Sequence, residues 1–266
     1  MANIIITGAN QGIGYFFVVQ LLKDGNKVAV FDLDTDNLEK LKAVYENSLL
    51  YFKVDVRSQD LHNAVEQVVS EFGTVDIAVH NACKCTFDTE ANTDFDTYRD
   101  VFEVNYFGAL RLAKSVLPYM IEQNKGKVIF TSSGVGVTGF MRISPYASSK
   151  SAIEALAKCL KIEYAENNIS FHIFHPPLTR TRSAEPLPVP NEFMASPEKV
   201  GQGLAKHINS KRFIICHSFG QKIQTLGCYL FPIKMGSLLS KMTANYDNTK
   251  GSGSNDILKK SRLKRK

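Results

Sequence analysis

Little in this sequence marks a metal site, a disulfide framework or secretion. Its five cysteines (Cys83, Cys85, Cys159, Cys216 and Cys228) are odd in number and include no CxxC pair. The Cys83-x-Cys85 spacing is wrong for a zinc knuckle, and the six histidines form no HExxH pattern. These absences indicate free thiols and no catalytic metal. Met1-Ala2-Asn3-Ile4-Ile5-Ile6 lacks the basic start and apolar middle of a signal peptide, so the expected setting is the reducing cytoplasm.

Acid is missing from one long stretch. Residues 1–198 carry 18 Lys/Arg against 24 Asp/Glu, whereas residues 199–246 carry seven basic residues and no acid. Residues 247–266 add seven basic residues and two acids. An acidic body with a basic end suggests that one face or tail meets something anionic. A solvated, disordered tail is the plainer reading of the last residues. With the body acidic, a specific nucleic-acid reader is not expected.

The first two-thirds alternates short β-rich apolar runs with helical patterns. Strands are expected at residues 3–7, 27–32, 49–54, 76–80, 127–131 and 170–175. Between them, apolar residues recur at helical spacing, as at Leu61, Ala64, Val65, Val68 and Val69. Such alternation indicates βαβ units, a parallel sheet covered on both faces, and ligands at the carboxyl ends of the strands. Residues 182–196 hold Pro186, Pro188 and Pro190 among apolar side chains and read as a loop over the site. Ser196-Pro197-Glu198 starts a helix, and residues 212–216 fit a last strand. The expected organisation is one domain over residues 1–216, an apolar and basic segment over 217–246, and a basic, disordered tail over 247–266.

The first strand runs into Thr7-Gly8-Ala9-Asn10-Gln11-Gly12-Ile13-Gly14 and then an apolar helix. Glycines permit the sharp turn and a close approach of backbone to a pyrophosphate, at which the helix aims free N–H groups. The motif alone is weak; its position between a strand and a helix strengthens it. Asp32, eighteen residues after Gly14 at the end of the second strand, can accept hydrogen bonds from both adenosine ribose hydroxyls and would repel a 2′-phosphate. It therefore favours NAD over NADP. Tyr146 and Lys150 stand at i and i+4 on one helix face, with Ser133 thirteen residues upstream of Tyr146. An ammonium and a positive nicotinamide ring beside the phenol would stabilise its phenolate. The alternative is an ordinary exposed helix pair.

Taken together, the glycine-rich turn, Asp55-Val56, Asn81-Ala82, Asn105, Ser133 and Tyr146-x-x-x-Lys150 resemble the short-chain dehydrogenase/reductase family over residues 2–182. The resemblance implies a Rossmann-type, doubly wound α/β sheet of about seven parallel strands with helices on both faces. Tyr146 would be the general acid/base, Lys150 would lower its pKa and hold the nicotinamide ribose, Ser133 would bind the substrate oxygen, and Asn105 would hold a water in the proton relay. The cofactor would be held by Gly8, Asn10, Gln11, Gly12, Ile13 and Gly14, by Asp32, by Asp55 and Val56, and by Asn81 and Ala82. Tyr146, Lys150, Pro176, Thr179 and Thr181 would complete its site.

Two positions depart from the family pattern. Cys83 stands where the family has glycine, so a positive φ there would be strained. Pro176-Pro177 replaces Pro-Gly, and with Thr179-x-Thr181 this segment also resembles reductases of 3-ketodihydrosphingosine, which use NADPH. Val135, Val137, Phe140, Met141, Ile143, Leu187, Val189, Phe193 and Met194 either line an apolar pocket or pack the core.

The expected function is hydride transfer between NAD(H) and a hydrophobic alcohol or ketone. An NADPH-dependent reductase of a lipid-like ketone and a non-catalytic nicotinamide sensor or scaffold are the alternatives. The apolar stretch near the C-terminus has an uncharged run of only eleven residues, 223–233, too short to span a bilayer. Its basic neighbours fit peripheral contact with an anionic membrane, and packing within a homodimer or homotetramer is the other reading.

Overall fold

The computed structural model describes residues 1–185, 187 and 189–249, with backbone only over 242–249. Most of the expected basic tail therefore lies outside the described residues. The chain runs β1 (Asn3–Thr7), α1 (Gly12–Lys23), β2 (Lys27–Asp32), α2 (Asp36–Lys42), β3 (Leu49–Lys53), α3 (Asp60–Phe72) and β4 (Ile77–His80). There follow α4 (Phe95–Phe102), a π turn over Glu103–Phe107, α5 (Gly108–Glu122), β5 (Gly126–Thr131), α6 (Val135–Thr138), α7 (Ser144–Glu163) and β6 (Ile169–Phe174). The last elements are α8 (Pro197–Lys206), β7 (Ile214–Ile215), α9 (Phe219–Leu230) and α10 (Pro232–Thr249).

All seven strands are parallel, in the order β3-β2-β1-β4-β5-β6-β7. Strand periodicity explains the two cores. Ile5 of β1 faces a cluster with α3, α5 and α7 residues such as Val65, Leu112 and Ile153, while Ile4 and Ile6 face Phe17, Leu21, Val200 and Leu204 of α1 and α8. Neither face of the sheet is left to water, which is why the strands read as continuous apolar runs.

The chain builds outward from β1 to β3, then returns to lay β4 on the other side of β1. The two crossovers diverge there, opening a crevice at the carboxyl ends of β1 and β4. After β7 the apolar stretch forms two helices broken at Phe231: α9 ends at Leu230, Phe231 leaves helical geometry, and Pro232 begins α10. Proline at the first helical position forfeits no bond.

Candidate active site

The floor of the site is made where the β1–α1 and β4–α4 turns touch. Gly8 has φ +66°, and a Cβ there would lie 2.4 Å from the Cα of Ala82, so no side chain fits. Gly12, at φ +61°, opens α1 facing the methyl of Thr181. The first-turn N–H groups of α1 precede its first helical bond, from Tyr15 N–H to the Gln11 carbonyl. Gln11, Gly12, Ile13 and Gly14 border the cleft, so this cradle fits a pyrophosphate.

Around it the turns are locked by side chains. The Thr7 hydroxyl accepts the N–H groups of Asn81 and Ala82, each at 3.2 Å, and lies 3.0 Å from His80 Nδ1. Asn81 Nδ2 donates to the Gly8 carbonyl at 2.6 Å. Cys83 does not have positive φ, so the cysteine in place of glycine brings no left-handed strain.

Asp32 reaches the cleft from the end of β2, and its Oδ2 accepts the Asn10 N–H at 2.8 Å. Asn10 itself is buried behind the cleft, where its Oδ1 and carbonyl accept from Asn37. It shapes the turn instead of lining the cavity. Asp55 and Val56 border the same end, but the Asp55 carboxylate is occupied by Arg57, whose guanidinium also reaches Asp100. The hydrogen bond from Arg57 outweighs partial burial and holds the Asp55 carboxyl below its ordinary range. Sequence reading had not singled out Arg57.

At the other end, Ser133, which follows β5, and Tyr146 and Lys150 of α7 line the same cleft of about 1000 Å³. Lys150 is buried; its Nζ donates to the Thr131 carbonyl at 2.7 Å and stands 5.5 Å from the centre of the Tyr146 ring. With protein groups alone the phenol is not activated. Burial pushes the Tyr146 hydroxyl well above its ordinary range, negative charge on the Cys83 or Cys85 sulfur would act in the same direction, and the Ser133 hydrogen bond opposes them. The expected lowering therefore needs positive charge beyond what the chain supplies at this oxygen.

Asn105 lies in the π turn and is wholly buried. Its Oδ1 accepts the Lys84 N–H at 2.7 Å, and its Nδ2 donates to the Lys84 carbonyl and to Ser149 Oγ. It thus fixes the segment after Asn81 against α7, and its side chain does not border the cleft. Pro176, Thr179 and Thr181 do, after β6, with the Thr179 hydroxyl donating to the Pro177 carbonyl. Of the apolar candidates, Val135, Phe140, Ile143, Leu187, Val189 and Phe193 line the cavity, whereas Val137, Met141 and Met194 do not.

Two features escaped the sequence reading. Gln221, Gln224, Thr225 and Cys228 of α9 and Leu239 of α10 wall the cleft, so the segment after residue 216 is part of the site. Behind Ser133, the buried Glu154 carboxylate accepts Ser132 Oγ at 2.8 Å, His175 Nε2 at 2.8 Å and Tyr229 Oη at 2.6 Å. Burial alone would raise this carboxyl, but the hydrogen bonds from His175, Tyr229 and Ser132 hold it below its ordinary range. One carboxylate on α7 therefore ties the ends of β5 and β6 to α9.

This architecture can be set beside known proteins. A fatty acyl-CoA reductase of Acinetobacter baylyi is 26% identical over 88% of this chain and 86% of its own length. A 3-ketodihydrosphingosine reductase of Bos taurus is 26% identical over 87% of this chain and 76% of its own. Among solved structures, a short-chain dehydrogenase from Streptomyces avermitilis superposes with a TM-score of 0.77 at 24% identity, covering 95% of this chain and 98% of that one. Structures of the same fold hold either dinucleotide. ElxO with NADP has a TM-score of 0.73 at 21% identity, over 86% and 98% of the two chains. NAD+-bound xylitol dehydrogenase has 0.70 at 22%, over 77% and 91%. The family model described as short chain dehydrogenase matches residues 2–190. The chain belongs to the short-chain dehydrogenase family.

Proposed function

We propose that this oxidoreductase moves a hydride between NAD(H) and a hydrophobic alcohol or ketone, with Tyr146 exchanging the proton. The observation that carries the reading is that one cleft joins the glycine cradle and Asp32 at one end to Ser133, Tyr146 and Lys150 at the other. A bound nicotinamide supplies or accepts the hydride. Ser133 donates a hydrogen bond to the substrate oxygen and stabilises charge that develops there. Tyr146, protonated in the protein's own field, is set to donate to a carbonyl oxygen. Lys150, whose Nζ donates to the Thr131 carbonyl beside the Tyr146 ring, would hold the nicotinamide ribose.

Asp32 supports NAD over NADP, because its carboxylate would meet a 2′-phosphate. The apolar wall of Phe140, Ile143, Leu187, Val189 and Phe193 supports a hydrophobic substrate. Two relatives are named as reductases of fatty acyl-CoA and 3-ketodihydrosphingosine, which favours the same class and makes an NADPH-dependent lipid-ketone reductase the second reading. The exposed Phe95, Phe107 and Ile162 support a homo-oligomer. Free cysteines agree with a cytoplasmic setting, and no helix among the described residues is long and apolar enough to cross a membrane.

Fluorescence titration with NADH and NADPH at equal ionic strength tests the cofactor. Tighter NADH binding is expected; tighter NADPH binding moves the lipid-ketone reading to first place. Tyr146→Phe separates enzyme from sensor, since it should stop turnover of aliphatic ketones and spare NADH binding. Should the unmutated protein bind NADH but turn over no alcohol or ketone, the sensor reading replaces this one.

A further inference from the structure

We propose that the outward face of α9 and α10 docks on an anionic lipid bilayer. The observation is a helix whose polarity is reversed. On α9 the residues turned inward are Gln221, Thr225 and Cys228, all buried, whereas Phe219, Ile223, Leu226 and Leu230 are each more than half exposed. Their spacing of four, three and four residues makes them one stripe along the helix. Phe231 and Ile233, 56% and 75% exposed, carry the stripe into α10. A helix that only closed the cleft would bury such a stripe; this one presents it to the outside while its polar side meets the cavity. The α10 end is fixed to the body, with Ser240 Oγ accepting the Met141 N–H, so the stripe is held in a defined orientation.

Charge selects the occupant. Lys222, Lys234 and Lys241 are exposed on the same two helices, and no Asp or Glu occurs between residues 199 and 246. A second copy would bring an identical cationic face against this one, with no carboxylate to neutralise either. Residues 250–266, with seven basic residues and one acid, have the same defect as a covering segment. An anionic headgroup layer over hydrocarbon matches both the lysines and the stripe.

The same helix is therefore wall to the cleft and anchor to the surface. On the oxidoreductase reading above, the substrate class narrows to an alcohol or ketone that partitions into the bilayer and reaches the apolar wall without crossing water. The docking claim needs no turnover and is tested without it.

The experiment is co-sedimentation of the full chain with phosphatidylcholine vesicles, with and without phosphatidylserine. Sedimentation with the phosphatidylserine vesicles, reversed by salt and absent with phosphatidylcholine alone, is expected. Lys222→Glu with Lys234→Glu and Lys241→Glu should weaken it by more than roughly 100-fold, as each lysine near such a surface contributes about fivefold. Ile223→Ser with Leu226→Ser and Leu230→Ser should abolish it, with NADH binding retained as the check on folding.

Absence of sedimentation, or equal sedimentation with both vesicle types, overturns the proposal. So does a stripe variant that changes oligomeric mass but not vesicle binding, which identifies a second copy as the occupant. Vesicle binding that emerges only on truncation after Thr249 overturns it too, by identifying the tail. The substrate consequence has its own readout. A long-chain ketone in phosphatidylserine vesicles should be reduced faster than in detergent, and the lysine variants should lose only that advantage. Loss of all turnover with docking intact counts against the oxidoreductase reading alone.

Discussion

At the scale of single residues, the proposed chemistry rests on a phenol whose hydroxyl burial holds above its ordinary range. Burial raises Tyr146, and Lys150 spends one of its donors on the Thr131 carbonyl. Replacing Tyr146 by Phe should lower turnover by roughly 10²- to 10⁴-fold, the usual contribution of a positioned acid or base, with the NADH dissociation constant unchanged. Gly8→Ala should do the reverse and act through binding. Its Cβ would meet the Cα of Ala82 at 2.4 Å from a backbone at φ +66°, so strain of about 1–3 kcal/mol is expected. A lower melting temperature together with weaker NADH binding would bear this out; unchanged values would mean that the two turns part easily. Tyr146, Lys150 and the glycines were legible in the sequence because local spacing places them. Glu154 was not, since its three partners come from just after β5, just after β6 and from α9, and share no spacing with it. Arg57 was missed for a simpler reason: on sequence it is one solvated arginine, and only the fold brings Asp100 within reach.

At the scale of elements, six strands stood where alternating apolar runs placed them, within a residue at each end. Burial on both faces leaves these runs little choice of conformation. The C-terminal helices were harder, because a stripe's period tells that a helix is amphipathic but not which side faces the body. The reversed polarity of α9 hid its place in the cleft wall. That place depends on Tyr229, whose hydroxyl is the link from α9 to Glu154. Tyr229→Phe removes a hydrogen bond to an ionised carboxylate, worth about 1.5–3 kcal/mol, without changing the shape of the helix. The expected outcome is a several-fold higher KM for hydrophobic ketones, a modest fall in melting temperature and unaltered NADH binding. An unchanged KM with the same thermal loss would show that Tyr229 stabilises the fold without setting the cleft wall.

At the scale of the molecule, two histidines buried without charge set the acid limit of the fold. His80 sits at the end of β4 between Thr7 and the π turn, and burial, aided by repulsion from Lys150, lowers it from 6.5 to about 3. His172 lies inside β6 against the Arg212 carbonyl, and burial lowers it to about 4. In both cases the folded pKa is the lower, so the unfolded chain binds the extra proton first. Stability is whole above pH 6.5 and falls as pH drops through the window to the folded values. One such group removes about 1.4 kcal/mol per pH unit, and both act together between pH 6.5 and 4. Across that window the loss is roughly 7 kcal/mol, comparable with the 5–15 kcal/mol that holds a domain together. Urea denaturation between pH 8 and 5 should therefore show a midpoint level above pH 6.5 and falling steeply below it. His80→Asn keeps a side-chain acceptor for Thr7 but carries no titrating group, so it should make the slope shallower. A midpoint that stays level to pH 5 in the unmutated protein would mean that water or local opening lets these histidines take their protons in the folded state.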